Sequence, residues 1–268
     1  MRFSLTLAAL LLAGCATTAT RTTASSTPAL YTQTLGAPSR TATALFVIVH
    51  GDGASRTDID LSAFAGALAA AEPGSAVVRI LRPGYSDGAG NMSPGVRGTG
   101  TGDDYTADRV GAVADTIRAL RSRYRKARVI AIGEGGGAAI VANIAGLRPG
   151  TIDGMVLVSC PCALPEWRRY MAGREKQADP WRARVDSLDP LQTAGGIAPD
   201  LRAALVSSAD NGPLPAKFAR SYAEALSLRG IATDFRILPK GGTRVLDDPQ
   251  VLDATRRLAA ALPRGTAS

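Results

Sequence analysis

Residues 128–138 read Arg-Val-Ile-Ala-Ile-Gly-Glu-Gly-Gly-Gly-Ala, and this stretch constrains the chain more than any other. Val129, Ile130 and Ile132 are β-branched members of a short apolar run, the composition of a strand buried on both faces. Gly133, Gly135, Gly136 and Gly137 follow within five positions. Glycines at that density let the backbone reverse sharply and approach its neighbours closely. Ala138 to Leu147 then predicts a helix. A buried strand that turns at once into a helix belongs to a sheet covered by helices, so the stretch predicts an α/β protein.

The rest of the chain repeats this alternation. Ala44 to Val49 is a continuous apolar run that ends in His50-Gly51-Asp52-Gly53. Asp58 is placed to cap a helix carrying Leu61, Phe64, Ala65 and Leu68 at helical spacing. Val77 to Leu81 predicts a further strand, which exits through Arg82-Pro83-Gly84-Tyr85 into a polar loop with six more glycines before Tyr105. That loop is too long for a mere connector and is expected over the C-terminal edge of the sheet. Thr106 is placed to cap a helix with Val110, Val113, Ile117 and Leu120 on one face. Beyond the glycine turn, Met155 to Val158, Leu201 to Val206 and Phe235 to Leu238 predict strands. Helices are predicted around Phe218, Tyr222 and Leu226, and around Val251, Thr255, Leu258 and Leu262. The alternation implies a mostly parallel, doubly wound sheet.

The N-terminus has a different character. Met1 to Gly14 has a basic start at Arg2 and an apolar run from Leu5 to Leu12, too short to span a membrane permanently. Leu12-Ala13-Gly14-Cys15 resembles the bacterial lipobox, which implies cleavage before Cys15, lipidation of its thiol and attachment to a membrane through two or three acyl chains. Ala16 in place of aspartate after the cysteine implies sorting to the outer membrane, on its periplasmic side. The expected organisation is a signal peptide over 1–14, an acylated cysteine and Ala/Thr/Ser-rich tether over 15–43, and one domain over 44–268. The net charge of +8 becomes about +7 once Arg2 is removed, a balance suited to an anionic membrane or peptidoglycan surface. Basic residues are scattered and only 5% of residues are aromatic, which argues against nucleic acid as a partner. Cys160 and Cys162 are two residues apart; buried thiols are favoured over a disulfide, because so small a ring is strained.

Val-Ile-Val-His-Gly at 47 to 51, Arg-Pro-Gly-Tyr-Ser-Asp at 82 to 87 and the strand–glycine turn–helix unit together resemble an α/β-hydrolase over most of 45–262. The resemblance implies a doubly wound sheet of the α/β-hydrolase type with a small helical cap, here about 163–197, where Trp167, Tyr170 and Trp181 lie among arginines. Those aromatics suit either a pocket mouth or a surface excursion pinned to the core. It also implies a nucleophile elbow, G-x-S-x-G, at 133–137. The central position is Gly135, which has no side chain. Backbone N–H groups of Asp52 and Gly136 fall where the family builds its oxyanion hole. Asp210 falls at the acid position, where an ordinary turn aspartate beside Asn211-Gly212 is an equal reading. Thr243 falls at the histidine position, and a threonine hydroxyl is no base near neutral pH.

The histidine count is independent of alignment. The chain contains one histidine, His50. A serine nucleophile needs a base held by a third group, and the loss of one member removes most of a triad's effect. Glu134 beside the apex is expected to point away from it, Ser93, Ser159 and Ser208 lack a lysine partner in any motif, and Asp103-Asp104 has no histidine to complete a metal site. The sequence therefore predicts a non-catalytic α/β-hydrolase-fold lipoprotein with no cofactor or metal, with a small acyl or anionic molecule as candidate ligand. The alternative is a secreted esterase or acyl hydrolase with a different catalytic arrangement.

Overall fold

The computed structural model describes residues 29–52, 61–209, 212–239 and 244–263. In chain order the strands are β1 (Thr32–Gly36), β2 (Ala44–Val49), β3 (Ser75–Ile80), β4 (Arg128–Glu134), β5 (Gly154–Val158), β6 (Arg202–Ser208) and β7 (Ala232–Leu238). The helices are α1 (Ser62–Ala71), α2 (Ala107–Arg123), α3 (Gly136–Leu147), α4 (Leu164–Arg174), α5 (Asp179–Arg182), α6 (Pro190–Thr193), α7 (Lys217–Leu228) and α8 (Pro249–Ala261). The sheet order is β1-β3-β2-β4-β5-β6-β7, and only β1 runs antiparallel to its neighbour.

Both faces of the sheet are covered, which is why its central strands read as unbroken apolar runs. In β2, Leu45, Val47 and Val49 pack into the core that holds α2, α3 and α7. Ala44, Phe46 and Ile48, the alternate residues, pack into the second core beneath α1 and α8. Every residue of β2 is buried. The order places β4 in the middle of the sheet, so its C-terminal end opens at the centre of one edge. Ligands of open α/β sheets bind at that edge.

Three expectations need correction. Residues 15–43 were assigned to a tether, yet Thr32–Gly36 within them form β1 and pair with β3 from Thr32↔Ile80 to Gly36↔Ala76. Its Thr-Gln-Thr-Leu sequence is polar because β1 is a largely exposed edge strand. Cys160 and Cys162 are joined in a disulfide. The backbone around Pro161 brings their Cα atoms to 5.0 Å, inside the range a disulfide spans, so the short separation is no obstacle. Thr106 is the N-cap residue of α2, but its hydroxyl bonds the Asp108 carboxylate and caps no backbone N–H. Asp58, offered as a cap of α1, lies outside the described residues.

Candidate functional site

The geometry at the end of β4 follows from its glycines. Gly133 lies against the start of α3, so a Cβ there would stand 2.5 Å from the N and Cα of Ala138. Gly137 lies against the end of β2, where a Cβ would collide with the carbonyl oxygens of Val49 and His50. These two contacts let α3 start directly behind the strand. Between them Gly135 adopts φ +52° and ψ −119°, a conformation that L side chains rarely hold. Its N–H donates to the Val158 carbonyl at 2.8 Å, and its own carbonyl accepts from Ala138 N–H at 3.0 Å. The turn is thus fixed to β5 on one side and to α3 on the other.

Above this turn lies Asp52, contributed by the loop after β2. Its carboxylate packs on Gly136 and fills the volume a side chain at 136 would need, its Cγ standing 2.6 Å from the ideal Cβ position. Gly136 is the first residue of α3, so the carboxylate sits at the positive end of the helix dipole. Two donors hold it there: Arg82 Nη1 at 2.8 Å and the Tyr105 hydroxyl at 2.7 Å.

Arg82 is the hub beneath the site. The residue is 1% exposed and lies two positions past the end of β3. Its Nη2 pairs with Asp104, whose carboxylate also accepts from the Tyr85 hydroxyl at 2.9 Å and from Gly98 N–H at 2.8 Å. Burial is the largest single influence and works against the guanidinium charge, but Asp52, Tyr85, Asp104 and Tyr105 together outweigh it, so Arg82 stays charged beyond its ordinary range. Burial raises both Tyr85 and Tyr105, which keeps their hydroxyls protonated as donors. The long glycine-rich loop carries Tyr85 and Tyr105 at its two ends, with Asp104 beside the latter, and is tied into the sheet edge through this network.

His50 belongs to the same layer. It is 1% exposed, its Nε2 accepts the Arg82 N–H at 3.0 Å, and its Nδ1 lies 2.7 Å from the Gly51 carbonyl. An imidazole that accepts at Nε2 carries its proton on Nδ1 and donates it to Gly51. Burial first, and the Arg82 charge second, push its pKa well below the usual histidine range. His50 is therefore neutral near pH 7 with both ring nitrogens engaged.

Glu134, next to the apex, forms a two-pronged ion pair with Arg244, with Nε–Oε1 at 2.9 Å and Nη2–Oε2 at 2.7 Å. The apex itself faces carbon: a Cβ on Gly135 would meet Gly51 Cα and Leu214 Cδ1, each at 3.7 Å. Leu214 is held over the turn by α4, where Trp167 Nε1 donates to the Pro213 carbonyl at 2.8 Å and the Tyr170 hydroxyl to the Gly212 carbonyl at 2.8 Å. Trp167 also stacks edge-on with Trp181, and Tyr170 with Phe218. These aromatics pin α4 and the 212–214 segment to the core.

This architecture recurs in solved structures. Over 86% of this chain and 98% of its own, a monoacylglycerol lipase from Paleococcus ferrophilus superimposes with a TM-score of 0.56 at 17% identity. A Bacillus cereus carboxylesterase does so over 87% and 95%, with a TM-score of 0.57 at 15% identity. The chain has the α/β-hydrolase fold. An Agrobacterium tumefaciens protein of unknown function is similar too, over 87% of this chain and 97% of its own, with a TM-score of 0.58 at 20% identity. A model of the Ndr family matches residues 68–179, from the end of α1 to the start of α5. No curated protein sequence matches the chain.

Within this α/β-hydrolase fold the structure brings Gly135, Gly136 and Asp52 together. Asp210, Thr243 and Cys15, the other residues singled out by sequence, lie outside the described residues. Among the described residues, no group of three or more His, Cys, Asp or Glu side chains is placed to hold a metal ion. Ser93 is structural, donating to the Leu81 carbonyl at 2.6 Å and accepting Tyr31 N–H at 2.9 Å. Sequence reasoning placed Asp52 in the site for its backbone N–H and missed the larger part, its side chain and the Arg82 hub. The available signal was an arginine set directly after a buried strand, since such a charge needs buried partners.

Proposed function

We propose that this chain is a non-catalytic α/β-hydrolase-fold lipoprotein of the bacterial envelope, anchored through acylated Cys15 to the outer membrane on its periplasmic side, with the glycine turn kept as a structural element. The observation that carries the reading is His50. Proton transfer from a nucleophile needs an accessible base with a pKa near the working pH. The chain's one imidazole is buried, neutral and bonded at both nitrogens. Gly135 supplies no nucleophile, and Glu134 is tied to Arg244.

Of the two ligand classes predicted, an acyl group suits the site better than an anion. The apex is bounded by carbon from Gly51 and Leu214, whereas the α3 N-terminus already faces the Asp52 carboxylate, which would repel a second negative charge.

A fluorophosphonate probe and a panel of short-chain p-nitrophenyl esters test the catalytic part, with the wild type beside the Gly135→Ser/Thr243→His double variant. No labelling and no turnover by the wild type is the expected result. Labelling of the wild type, or turnover that co-purifies with it and survives a no-protein control, would overturn the reading. Metabolic labelling with an alkyne analogue of palmitate tests the anchor: incorporation should vanish in Cys15→Ala, and unchanged incorporation would refute it.

A further inference from the structure

The densest run of charge in the chain is Arg118 to Arg128, where Arg118, Arg121, Arg123, Arg125, Lys126 and Arg128 stand with no acid among them. The run follows the end of α2 into the start of β4, at the N-terminal edge of the sheet and opposite the glycine turn. There it forms one wall of a cleft of about 1050 Å³, closed on its other sides by the segments around Asp153, Asp200 and Leu262. Part of this charge serves the fold. Arg121 and Arg123 lie in the last turn of α2 and complement its dipole, and Arg121 also holds Asp153 through two bonds at 3.0 and 2.9 Å. Arg128 Nη1 donates to the carbonyls of Ala259 and Leu262 at 2.6 and 2.9 Å, at the end of α8.

Arg125, Arg202 and Asp200 line the same cleft and serve no such purpose. All three are exposed, and none forms an ion pair among the described residues. The strand register spaces the cations. Gly154, where β5 starts, pairs with Ile130 on one side and Arg202 on the other. Arg128 therefore lies two strands and two residues away from Arg202, roughly 12 Å between Cα atoms at about 4.8 Å per strand and 3.3 Å per residue. One anion cannot engage both guanidinium groups fully across that gap, whereas acid groups a few bonds apart can. The lining is also mixed in sign, so an ammonium group on the ligand would find Asp200. Ile152 and Leu201 give the cleft an apolar floor, and no aromatic side chain lines it, which removes the stacking platform that single-stranded nucleic acid requires.

We propose that this cleft binds a short acidic peptide with at least two carboxylates and one amine, its carboxylates on Arg125 and Arg202 and its amine on Asp200. Arginine forks suit carboxylates because two parallel N–H groups meet the two oxygens. The position of the cleft favours a soluble ligand over a lipid headgroup. Thr32 of β1 pairs with Ile80 at the C-terminal end of β3, so the chain enters the described domain at the edge with the glycine turn and the cleft lies at the opposite one. This last step rests on the lipid anchor proposed above; the charge and shape of the cleft do not.

Isothermal titration calorimetry of the full chain in nonionic detergent tests the assignment, with N-acetyl-Glu-Lys-Glu as the probe and N-acetyl-Glu-norleucine-Glu as its amine-free counterpart. The first should bind saturably and lose affinity as salt rises. Arg125→Gln/Arg202→Gln removes two exposed groups without ion pairs, so it should melt as the wild type does and bind the probe on the order of tenfold more weakly. Asp200→Asn should weaken the lysine peptide and leave the norleucine peptide unchanged or tighter. A dissociation constant above about 1 mM, equal binding by the double arginine variant, or an Asp200→Asn effect shared by both peptides would overturn the proposal. Inorganic phosphate, glycerol 3-phosphate or a thymidine oligonucleotide binding as tightly as the peptide would overturn the ligand class. Failure of palmitate labelling at Cys15 would refute the anchor and leave these titrations as they are, so the two readings fail separately.

Discussion

Replacing Gly135 with serine restores the atom that the hydrolase motif calls for, and the structure says what that atom meets. The new Cβ would lie 3.7 Å from both Gly51 Cα and Leu214 Cδ1, which is ordinary van der Waals contact, so no neighbour has to move. The whole penalty is conformational. A side chain at φ +52°, ψ −119° sits in a region that costs on the order of 1–3 kcal/mol, whereas glycine holds it almost freely. For a domain of this size each kcal/mol shifts the midpoint by about 2–4 °C, so Gly135→Ser should melt roughly 2–12 °C below the wild type. Differential scanning calorimetry or thermal circular dichroism at matched concentration reads this directly. Gly137→Ala is the internal contrast. Its Cβ would drive into the carbonyl oxygens of Val49 and His50, which belong to the backbone of β2 and its exit and cannot swing aside. That variant should fail to reach the native fold or lose far more stability than Gly135→Ser. A Gly135→Ser protein as stable as wild type, or a Gly137→Ala protein that tolerates its methyl, would refute the assignment of this turn. The serine should also bring no ester hydrolysis, since no base among the described residues is placed to take its proton and the chain's one histidine is engaged at both ring nitrogens.

Three other outcomes follow from the network around the turn. Arg82→Met leaves Asp52 and Asp104 without their shared cation at buried or half-buried positions and should destabilise by about 3–5 kcal/mol, read as the shift in urea midpoint; a loss below about 1 kcal/mol would mean the charges relax to solvent. His50 has a folded pKa below its unfolded value near 6.5, so the unfolded chain binds its proton first as pH falls: stability from this group is complete above pH 6.5 and drops below it, by at most about 1.4 kcal/mol per pH unit. Urea titrations between pH 6.5 and 5 should show a steeper decline in wild type than in His50→Asn, and parallel slopes would contradict the assignment. Trp167→Phe removes the Nε1–H bond to the Pro213 carbonyl, so amide exchange in residues 212–216 should speed up while β4 and α3 keep their protection.

The parts of this fold that were legible in sequence are those whose burial is uniform. β2, β4 and β5 lie between two helical layers, so each reads as a continuous apolar run, and the glycine turn announces itself because Gly133 and Gly137 have no room for any side chain. β1 was hidden by its position: one polar strand at the margin of the sheet has the same composition as a tether. The site network was hidden by distance. Asp52, Arg82, Asp104 and Tyr105 span 53 positions between the first and the last, and no local pattern links a loop carboxylate to a tyrosine across that separation. The disulfide is not legible in sequence because separation along the chain is a poor proxy for Cα distance in a bent segment, where 5.0 Å is reached over two residues.

The glycines that flank the turn at the end of β4 have a packing explanation that needs no catalysis. Gly133 and Gly137 set how closely α3 approaches β4 and β2, and α3 is buried from Gly136 to Gly146, so the turn fixes the depth of a helix at the centre of the molecule. Any side chain at 133 or 137 would push that helix outward and open the core between α2, α3 and the sheet. The apex is under no such steric constraint, since a Cβ there would meet its neighbours at 3.7 Å, ordinary van der Waals contact; only its positive φ disfavours a side chain. Steric necessity thus holds the outer glycines in place, and function alone would have demanded a side chain at 135. The polar groups around the turn are likewise engaged with one another: Asp52 with Arg82 and Tyr105, His50 with Arg82 and Gly51, Glu134 with Arg244. A site meant to transfer protons must keep at least one base poised toward substrate. Among the described residues these polar groups complete each other, and that mutual satisfaction is what supports the non-catalytic reading proposed above.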